Sequence, residues 1–315
     1  MEIVLLESLG ISQELLDAYA ARLEEQGHSF KAYEKDTDPE VQKKRCEHAD
    51  VVMIANMPFS DEVIRSCPNL KFIDVAFTGV DHVGLKAAKE RGIAVSNASG
   101  YSNESVAELV LGMMLTLLRN VPQVDRRCRE GQTKEGLVGR EIMGKKIGIV
   151  GTGAIGRRVA QICHGLGCEI LGYDPSPAAD ALEYIRYLSL EELMSEADIV
   201  TLHCPLMEST YHLICRENLA LMKKNAIFIN AARGPVVDSQ ALADALNEGR
   251  IAAAGVDVYE TEPPLPLEHP LLHAPNTITT PHIAFATEES MVRRAKIVFD
   301  SLEQWMNGNQ VNKIL

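Results

Sequence analysis

Lys145-Lys-Ile-Gly-Ile-Val-Gly-Thr-Gly-Ala-Ile-Gly156 contains the pattern GxGxxG directly after an apolar run, and a helical pattern follows over residues 157–166. Gly151 permits a tight turn, Gly153 has no Cβ and lets backbone approach a pyrophosphate, and Gly156 lets the helix pack on the strand. The N-terminus of that helix would present free N–H groups and a positive dipole end to phosphates. A purely structural glycine turn has the same letters, but the flanking strand and helix favour a dinucleotide site.

The residue that ends the next strand indicates which dinucleotide is bound. Asp174 closes the run Ile170-Leu-Gly-Tyr-Asp174, 18 residues after Gly156. A carboxylate at this place accepts hydrogen bonds from the adenosine ribose hydroxyls and repels a 2′-phosphate. No Arg follows Asp174 nearby to reverse that preference. The sequence therefore predicts NAD (NADH) as the cofactor rather than NADP.

Apolar runs and helical patterns alternate along the rest of the chain. This alternation predicts βαβ units and a parallel sheet, and the continuous apolar runs indicate strands buried on both faces. The predicted strands are Ile3–Leu6, Val51–Ile54, Phe72–Val75, Ile93–Val95, Lys146–Val150, Glu169–Tyr173, Ile199–Leu202, Ala226–Asn230, Ala253–Val256 and Thr277–Thr279. The predicted helices include Ser12–Gln26, Pro39–His48, Ser60–Ser66, Asp81–Arg91, Ser102–Arg119 and Glu288–Met306.

Length and charge limit the classes of function. A chain of 315 residues predicts two domains. The formal net charge of -13 argues against nucleic acid and against anionic membrane surfaces, because both require clustered Lys and Arg. A small anionic substrate needs only a local positive site, so the charge does not exclude one.

Targeting signals and metal motifs are not expected. The segment Met1–Gly10 has acidic residues and no basic n-region, so it is not read as a signal peptide, and no apolar run reaches membrane-spanning length. Seven cysteines without CxxC spacing predict free thiols in the cytoplasm. The nine histidines show no metal-ligand spacing, so no metal site is predicted.

Three polar segments follow predicted strands in the second half of the chain. Arg233 follows the strand that ends at residue 230, and His282 follows the strand that ends at residue 279. Between them, Asp257, Glu260 and Glu262 follow the strand that ends at residue 256. Open α/β sheets bind ligands in the crevice beyond the carboxyl ends of their strands. Each residue alone is typical of an ordinary strand end, but together with a dinucleotide site they indicate an active site.

This set suits hydride chemistry on a 2-oxo acid. Such a reduction needs a hydride from nicotinamide, a proton for the carbonyl oxygen and a cation for the carboxylate. A guanidinium such as Arg233 forms bidentate pairs with carboxylates. A histidine such as His282 transfers protons reversibly near neutral pH, and a neighbouring carboxylate would stabilise its imidazolium form.

With these motifs in their order and spacing, the sequence resembles the D-isomer-specific 2-hydroxyacid dehydrogenase family over nearly the whole chain. The motifs are Gly151-Thr-Gly-Ala-Ile-Gly156, Leu202-His-Cys-Pro-Leu206, Asn230-Ala-Ala-Arg-Gly234, Gly255-Val-Asp257, Glu262-Pro263 and Pro281-His-Ile283. The resemblance implies that Arg233 orients the substrate and that His282 is the acid/base with Glu262 as its partner. It further implies that Asp257 contacts the nicotinamide carboxamide and that Val106 faces the nicotinamide.

The family also implies an architecture. A Rossmann-type, doubly wound cofactor domain (residues 99–285) is inserted into a flavodoxin-like, parallel-sheet substrate domain (residues 1–98 plus 286–315). The resemblance implies a homodimer formed through the segment that includes Ser102–Arg119. The residues expected to bind the cofactor are Gly151, Gly153, Ala154, Ile155, Gly156, Asp174, Cys204, Pro205, Ala231, Ala232, Asp257 and Val106.

The substrate pocket is expected at two loops of the first domain. Phe77, Thr78 and Gly79 match the family loop whose backbone N–H groups bind the substrate carboxylate, although Phe77 and Thr78 also suit an ordinary turn. A second wall, Asn56-Met-Pro-Phe-Ser60, contains no Lys or Arg. A desolvated phosphate needs paired charge. An unphosphorylated acid is therefore predicted, such as glyoxylate, hydroxypyruvate or pyruvate.

Alternative functions stay open at the level of sequence. Corepressors that resemble this family bind NAD without a catalytic role, and this chain shows no extra arm for recruiting partners. Phosphoglycerate, formate and phosphite dehydrogenases also resemble the superfamily. The observation that separates these functions is which small anion supports turnover.

Overall fold

A computed structural model describes residues 1–178 and 182–315 of the chain. The chain divides into two compact units, the first formed by Met1–Ser102 with Ala286–Leu315 and the second by Asn103–Phe285. The strands are β1 Glu2–Leu5, β2 Ser29–Ala32, β3 Val51–Ile54, β4 Phe72–Val75, β5 Ala94–Asn97, β6 Lys146–Val150, β7 Glu169–Tyr173, β8 Ile185–Tyr187, β9 Ile199–Leu202, β10 Ile227–Asn230, β11 Ala253–Val256 and β12 Thr277–Thr279. The helices are α1 Gln13–Glu25, α2 Pro39–Cys46, α3 Asp61–Ser66, α4 Leu85–Glu90, α5 Asn103–Leu118, α6 Val121–Arg129, α7 Ala154–Gly165, α8 Leu190–Glu196, α9 Arg216–Leu221, α10 Ser239–Asn247, α11 Pro270–His273 and α12 Glu288–Met306.

The sheet of the first unit has the strand order β2-β1-β3-β4-β5, with each neighbouring pair parallel. Strands β3 and β4 are buried at every position, as expected of a sheet covered on both faces. The chain order reverses direction between β1 and β3, as in flavodoxin-like sheets, where ligands bind at such a switch point. The loops that follow β1 and β3 therefore lie where a ligand site is expected.

The sheet of the second unit has the order β12-β11-β10-β9-β6-β7-β8 and is also parallel. Strand β6 lies between β9 and β7, so the switch point of this doubly wound sheet follows β6. Helix α5 buries Val106, Val110 and Met114 in the core on one side of this sheet. The predicted α/β class, with a Rossmann-type sheet and a flavodoxin-like sheet, is confirmed by the orders and the parallel pairing of the two sheets.

Two strands were not predicted, and both lie at sheet edges. Strand β2 reads Ser-Phe-Lys-Ala and is mostly exposed, and β8 has only three residues. Neither contains the continuous apolar run that marks a strand covered on both faces. Helix α4 begins at Leu85 rather than at the predicted Asp81, because Val83 forms a β-bridge with Phe59 before the helix starts.

Within the described ranges, no single helix is long and apolar enough to cross a membrane. Helices α5 and α6 pass that test of length and composition only as a pair, and the pair is bent by 59°.

Candidate active site

The glycine loop follows β6 at the switch point of the second sheet. Gly151 has φ +93°, and a Cβ there would lie 2.6 Å from the backbone nitrogen of Cys204. A Cβ on Gly156 would lie 2.1 Å from the carbonyl oxygen of Gly151. Side chains are therefore excluded at both positions by the backbone itself. At Gly153, by contrast, no described atom lies within 4 Å of the Cβ position, so this residue presents bare backbone at the start of α7.

Asp174 is hydrogen-bonded to the glycine loop. Its Oδ2 accepts hydrogen bonds from the Thr152 amide at 2.8 Å and the Thr152 hydroxyl at 3.1 Å, while Oδ1 accepts from the Ser176 amide at 3.0 Å. The hydroxyl of Tyr187 donates to Thr152 Oγ1 at 3.0 Å. Sequence patterns did not reveal Thr152 or Tyr187, because Tyr187 reaches the loop from the edge strand β8. The tight turn, the open helix start and this fixed carboxylate fit a dinucleotide.

The remaining predicted cofactor residues lie after the neighbouring strands β9, β10 and β11 or in the helices α5 and α7. Cys204 is buried against Gly151, and burial raises the pKa of its thiol to about 11, which does not suit a nucleophile. Pro205 follows Cys204 after β9. Ala231 and Ala232 follow β10, where the Asn230 side chain accepts from the Ala232 amide at 3.1 Å. Val106 is buried in α5.

Arg233 lies in the turn after β10. The Asn230 amide group donates to the Arg233 carbonyl oxygen at 3.0 Å, and Arg233 Nη1 donates to the Ala232 carbonyl oxygen at 2.8 Å. A Cβ on Gly234 would lie 1.9 Å from the carbonyl carbon of Tyr259. The close approach at Gly234 packs the arginine turn against the segment that follows β11.

His282 and Glu262 come together after β12 and β11. His282 Nδ1 lies 2.8 Å from Oε1 and 2.9 Å from Oε2 of Glu262. The His282 side chain is 11% exposed and the Glu262 side chain 52% exposed. Glu260, another acidic residue that follows β11, does not take part in this pair and contacts His269 Nε2 at 3.1 Å. Because β10, β11 and β12 are neighbours, Arg233 and the His282–Glu262 pair lie at the same edge of one sheet.

Asp257, which follows β11, is fully buried. Its Oδ1 accepts from the Thr280 hydroxyl at 2.5 Å and the Ile283 amide at 2.9 Å, and its Oδ2 accepts from the Ala284 amide at 2.8 Å. Burial raises the pKa of the Asp257 carboxyl, and the three hydrogen bonds oppose that rise. Both oxygens thus hold the loop that carries His282. The sequence offered no sign of these contacts.

A second histidine near the glycine loop has a different character. His203 precedes Cys204 after β9, and its Nε2 lies 3.0 Å from the Thr201 hydroxyl. Burial lowers the pKa of His203 to about 3, so its imidazole is neutral near pH 7. It is therefore a poor proton donor.

The predicted substrate loop belongs to the first unit. Phe77 is buried after β4, and its carbonyl oxygen accepts from the Ala98 amide at 3.0 Å. The Asn97 side chain donates to the Thr78 carbonyl oxygen at 2.7 Å, and Gly79 is half-buried beside it. The carbonyl groups of this loop thus accept hydrogen bonds from the last residue of β5 and from the residue that follows it.

Comparisons with known proteins identify the family. A family model described as "D-isomer specific 2-hydroxyacid dehydrogenase, NAD binding domain" matches residues 111–284, more than half of the chain. A hydroxypyruvate reductase of Blautia hydrogenotrophica is 38% identical over 289 residues, covering 88% of each chain. A glycerate dehydrogenase of Methylorubrum extorquens is 36% identical over 296 residues, covering 91% of this chain and 92% of its own.

A solved structure of a family enzyme with bound ligands also resembles this chain. The D-lactate dehydrogenase of Aquifex aeolicus, complexed with NAD and lactic acid, superposes with a TM-score of 0.87 at 30% identity, covering 98% of this chain and 96% of its own. The resemblance predicted from the motifs is confirmed. The chain belongs to the D-isomer-specific 2-hydroxyacid dehydrogenase family and is an NAD-dependent oxidoreductase that interconverts a 2-hydroxy acid and its 2-oxo acid.

Proposed function

We propose that this enzyme acts on a small unphosphorylated acid, with hydroxypyruvate or glyoxylate as the oxo form, and that His282, Glu262 and Arg233 are its catalytic residues. The observation that carries the assignment is the contact of His282 Nδ1 with both carboxylate oxygens of Glu262. A carboxylate in this position fixes the orientation and the tautomer of the imidazole ring.

The three side chains have separate tasks. When bound, the nicotinamide supplies or accepts the hydride. Since Glu262 engages Nδ1, His282 donates a proton to the substrate carbonyl oxygen through Nε2 and takes it back in the oxidative direction. Arg233 binds the carboxylate and polarises the carbonyl through its planar guanidinium.

The cofactor is assigned to the glycine loop and the strand ends around it. Gly151, Gly153 and Gly156 bring backbone N–H groups of Ala154 and Ile155 to the pyrophosphate. Asp174 binds the ribose hydroxyls. The other assigned contacts are Cys204, Pro205, Ala231, Ala232, Asp257 and Val106. The open space at Gly153 supports this assignment.

The carboxylate end of the substrate is assigned to Phe77, Thr78 and Gly79, which follow the buried strand β4. The Phe77 amide donates to the Val75 carbonyl oxygen at 2.7 Å, so the amides of Thr78 and Gly79 are the donors assigned to the carboxylate. We accordingly assign residues 1–98 with 286–315 to the substrate domain and residues 99–285 to the cofactor domain. The match of an NAD-binding family model to residues 111–284 supports the second assignment.

We further propose a homodimer and a cytoplasmic location. The segment between α6 and β6 carries exposed apolar side chains, including Val138 at 79% and Met143 at 70% exposed, which suit an interface between copies. Light scattering on the purified chain should give twice the monomer mass, and the substitution Val138→Asp should reduce it. Seven free thiols suit a reducing compartment, and a fluorescent fusion in the source cells should be diffuse rather than peripheral.

The decisive experiment is NADH consumption across a panel of acids, repeated with NADPH. The panel contains glyoxylate, hydroxypyruvate, pyruvate, phenylpyruvate, 2-oxoisocaproate and 3-phosphohydroxypyruvate, with NAD reduction by formate and phosphite as separate assays. We expect a clear preference for hydroxypyruvate or glyoxylate. Preference for the phosphorylated acid would overturn the substrate assignment. Tight NADH binding without turnover would indicate a sensor rather than an enzyme.

A further inference from the structure

Three polar side chains from three successive strands meet at the carboxyl edge of the first sheet. Glu7 follows β1, Lys35 follows β2, and Asn56 follows β3. Lys35 Nζ donates to Asn56 Oδ1 at 3.3 Å and lies 3.8 Å from Glu7 Oε2. The sequence contains no basic residue in the wall after β3, and the structure brings one there from another strand.

The buried partner of this group is Glu7, which is 4% exposed. Its Oε1 accepts from the Ala55 amide at 2.9 Å and the Met57 amide at 2.8 Å. These two amides flank Asn56, so Glu7 fixes the backbone on both sides of it. Hydrogen bonds to a buried charged group are among the stronger ones in proteins.

Lys35 sets the orientation of the Asn56 side chain. An asparagine amide can present its oxygen or its NH₂ group to a given partner. An ammonium group only donates, so it holds the Asn56 oxygen and leaves the amide NH₂ directed away from Lys35. Glu7 and Lys35 have opposite charges, so the group as a whole is close to neutral. A neutral hydrogen-bonding group therefore suits this place better than a phosphate, which the Glu7 carboxylate would repel.

The position of Asn56 relates it to the substrate. The β1–β3 boundary is the switch point of the sheet, where open α/β folds bind ligands. Strands β3 and β4 are paired with Ile54 opposite Val75, and the Ala76 amide donates to the Ile54 carbonyl oxygen at 2.6 Å. The loop that carries Asn56 thus leaves the sheet beside the loop of Phe77, Thr78 and Gly79.

We propose that Asn56 determines specificity at carbon 3 of the substrate by donating an amide hydrogen bond to a hydroxyl there, and that Lys35 and Glu7 are its positioning residues. This inference rests on the proposed function, in which the neighbouring loop binds the substrate carboxylate. It predicts hydroxypyruvate over pyruvate, because the partly buried Asn56 amide loses its hydrogen-bond acceptor when the hydroxyl is missing.

The test is the ratio of kcat/KM for hydroxypyruvate to kcat/KM for pyruvate. In Asn56→Leu we expect this ratio to fall by about tenfold or more, mainly through hydroxypyruvate. Lys35→Met should lower the ratio by a smaller factor, and Lys35→Arg should restore most of it. Lys31→Met is the matched control, because Lys31 lies in β2 and contacts Glu2 at 3.2 Å rather than Asn56. The ratio of the two kcat/KM values in this variant should equal that of the wild type.

Folding is checked by NADH affinity, which should be unchanged in each variant. If Asn56→Leu does not fold, Asn56→Ala removes the amide without introducing another hydrogen-bond donor and should give the same fall. An unchanged ratio in the folded Asn56 variant overturns the inference and leaves the proposed function intact. Equal kcat/KM values of the wild-type enzyme for pyruvate and hydroxypyruvate also overturn the inference. If the enzyme turns over no 2-oxo acid at all, both proposals are overturned.

Discussion

The backbone amide of His282 donates a 2.8 Å hydrogen bond to the carbonyl oxygen of Asp257, and the Asp257 carboxylate accepts from the two residues that follow His282. His282 itself has φ +55°, a left-handed conformation that is uncommon for a residue with a side chain. One buried aspartate thus holds the histidine loop in a backbone conformation that the loop would not favour alone.

Asp257→Asn should therefore lower turnover without a direct change to His282. One amide oxygen cannot accept all the hydrogen bonds that two carboxylate oxygens accept, and the amide NH₂ would face backbone donors. We expect kcat to fall by about ten- to a hundredfold, as follows from losing charge-assisted hydrogen bonds, and the melting temperature to fall. Asp244→Asn, at a surface aspartate that contacts Arg216, is the control and should retain turnover. Wild-type kcat in Asp257→Asn would remove Asp257 from this role.

His282→Ala should reduce turnover by about 10²–10⁴-fold, the usual range for a lost general acid. NADH affinity should change little, because the proposed cofactor contacts lie in other segments. His273→Ala is a suitable control, since His273 Nε2 contacts the Leu267 carbonyl oxygen at 2.6 Å, outside the loop of residues 280–284. Steady-state turnover and NADH fluorescence titration measure the two effects separately. Near-normal turnover in His282→Ala would contradict the proposed mechanism.

Asp174→Ser should weaken the preference for NADH over NADPH. The carboxylate that repels a 2′-phosphate is lost, while the Thr152 amide and hydroxyl become available as donors. We expect the ratio of kcat/KM values for the two cofactors to shift by about tenfold or more toward NADPH, as for removal of one charged partner. Tyr187→Phe deletes only the outer hydrogen bond and should shift the ratio less. Equal ratios in wild type and Asp174→Ser would mean that another residue selects the cofactor.

The sequence predicted the interior of both sheets better than their edges. Strands β3, β6 and β10 are covered on both faces, and this burial produces a continuous apolar run that is visible without a structure. Of the four edge strands in the described sheets, β5 and β12 were predicted, whereas β2 and β8 were missed. Sequence patterns record burial, so an edge strand is recognised only where its own residues resemble those of a strand, and β2 and β8 carry no continuous apolar run.

In the candidate site, too, some features were predictable from the sequence and others were not. Arg233 and Glu262 follow the buried strands β10 and β11, and His282 follows the short edge strand β12, so their positions at one sheet edge were predictable from topology. The contacts that fix them were not. Lys35 lies 21 residues before Asn56, and Asp257 bonds to amides 26 and 27 residues further along the chain. Such contacts depend on tertiary packing, and the sequence does not indicate which backbone amides will face a given side chain.

Asp74 gives a prediction about stability rather than catalysis. It lies in β4 with 0% exposure; its Oδ1 is 3.4 Å from the Ser301 hydroxyl, and its Oδ2 has no hydrogen-bond partner among the described residues. Burial raises the pKa of the Asp74 carboxyl well above its usual range, opposed only by the Ser301 hydrogen bond. The folded protein thus favours the neutral acid, whereas the unfolded chain ionises near pH 4.

Asp74→Asn should therefore stabilise the protein in a pH-dependent way. A carboxyl with a raised pKa in the folded state loses stability as pH rises from its unfolded pKa to its folded pKa, by about 1.4 kcal/mol per unit of pKa difference. Asparagine does not ionise, so the difference in unfolding free energy between variant and wild type should be small at pH 4 and grow toward pH 8. Urea unfolding at pH 4, 6 and 8 measures it.

Asp50→Asn is the matched control, and its effect on the unfolding free energy should have the opposite sign. Partial burial raises the pKa of Asp50, but the hydrogen bonds from Lys71 at 2.7 Å and from the Glu2 amide at 2.9 Å, together with the nearby positive charges, outweigh burial and lower the pKa overall. The stability that this carboxylate contributes is present above its unfolded pKa and is lost as pH falls through its folded pKa. Asp50→Asn should thus destabilise the protein at pH 8 and have little effect near pH 3. If the Asp74→Asn difference does not vary with pH, Asp74 does not ionise abnormally, and its burial must be offset by a contact other than Ser301.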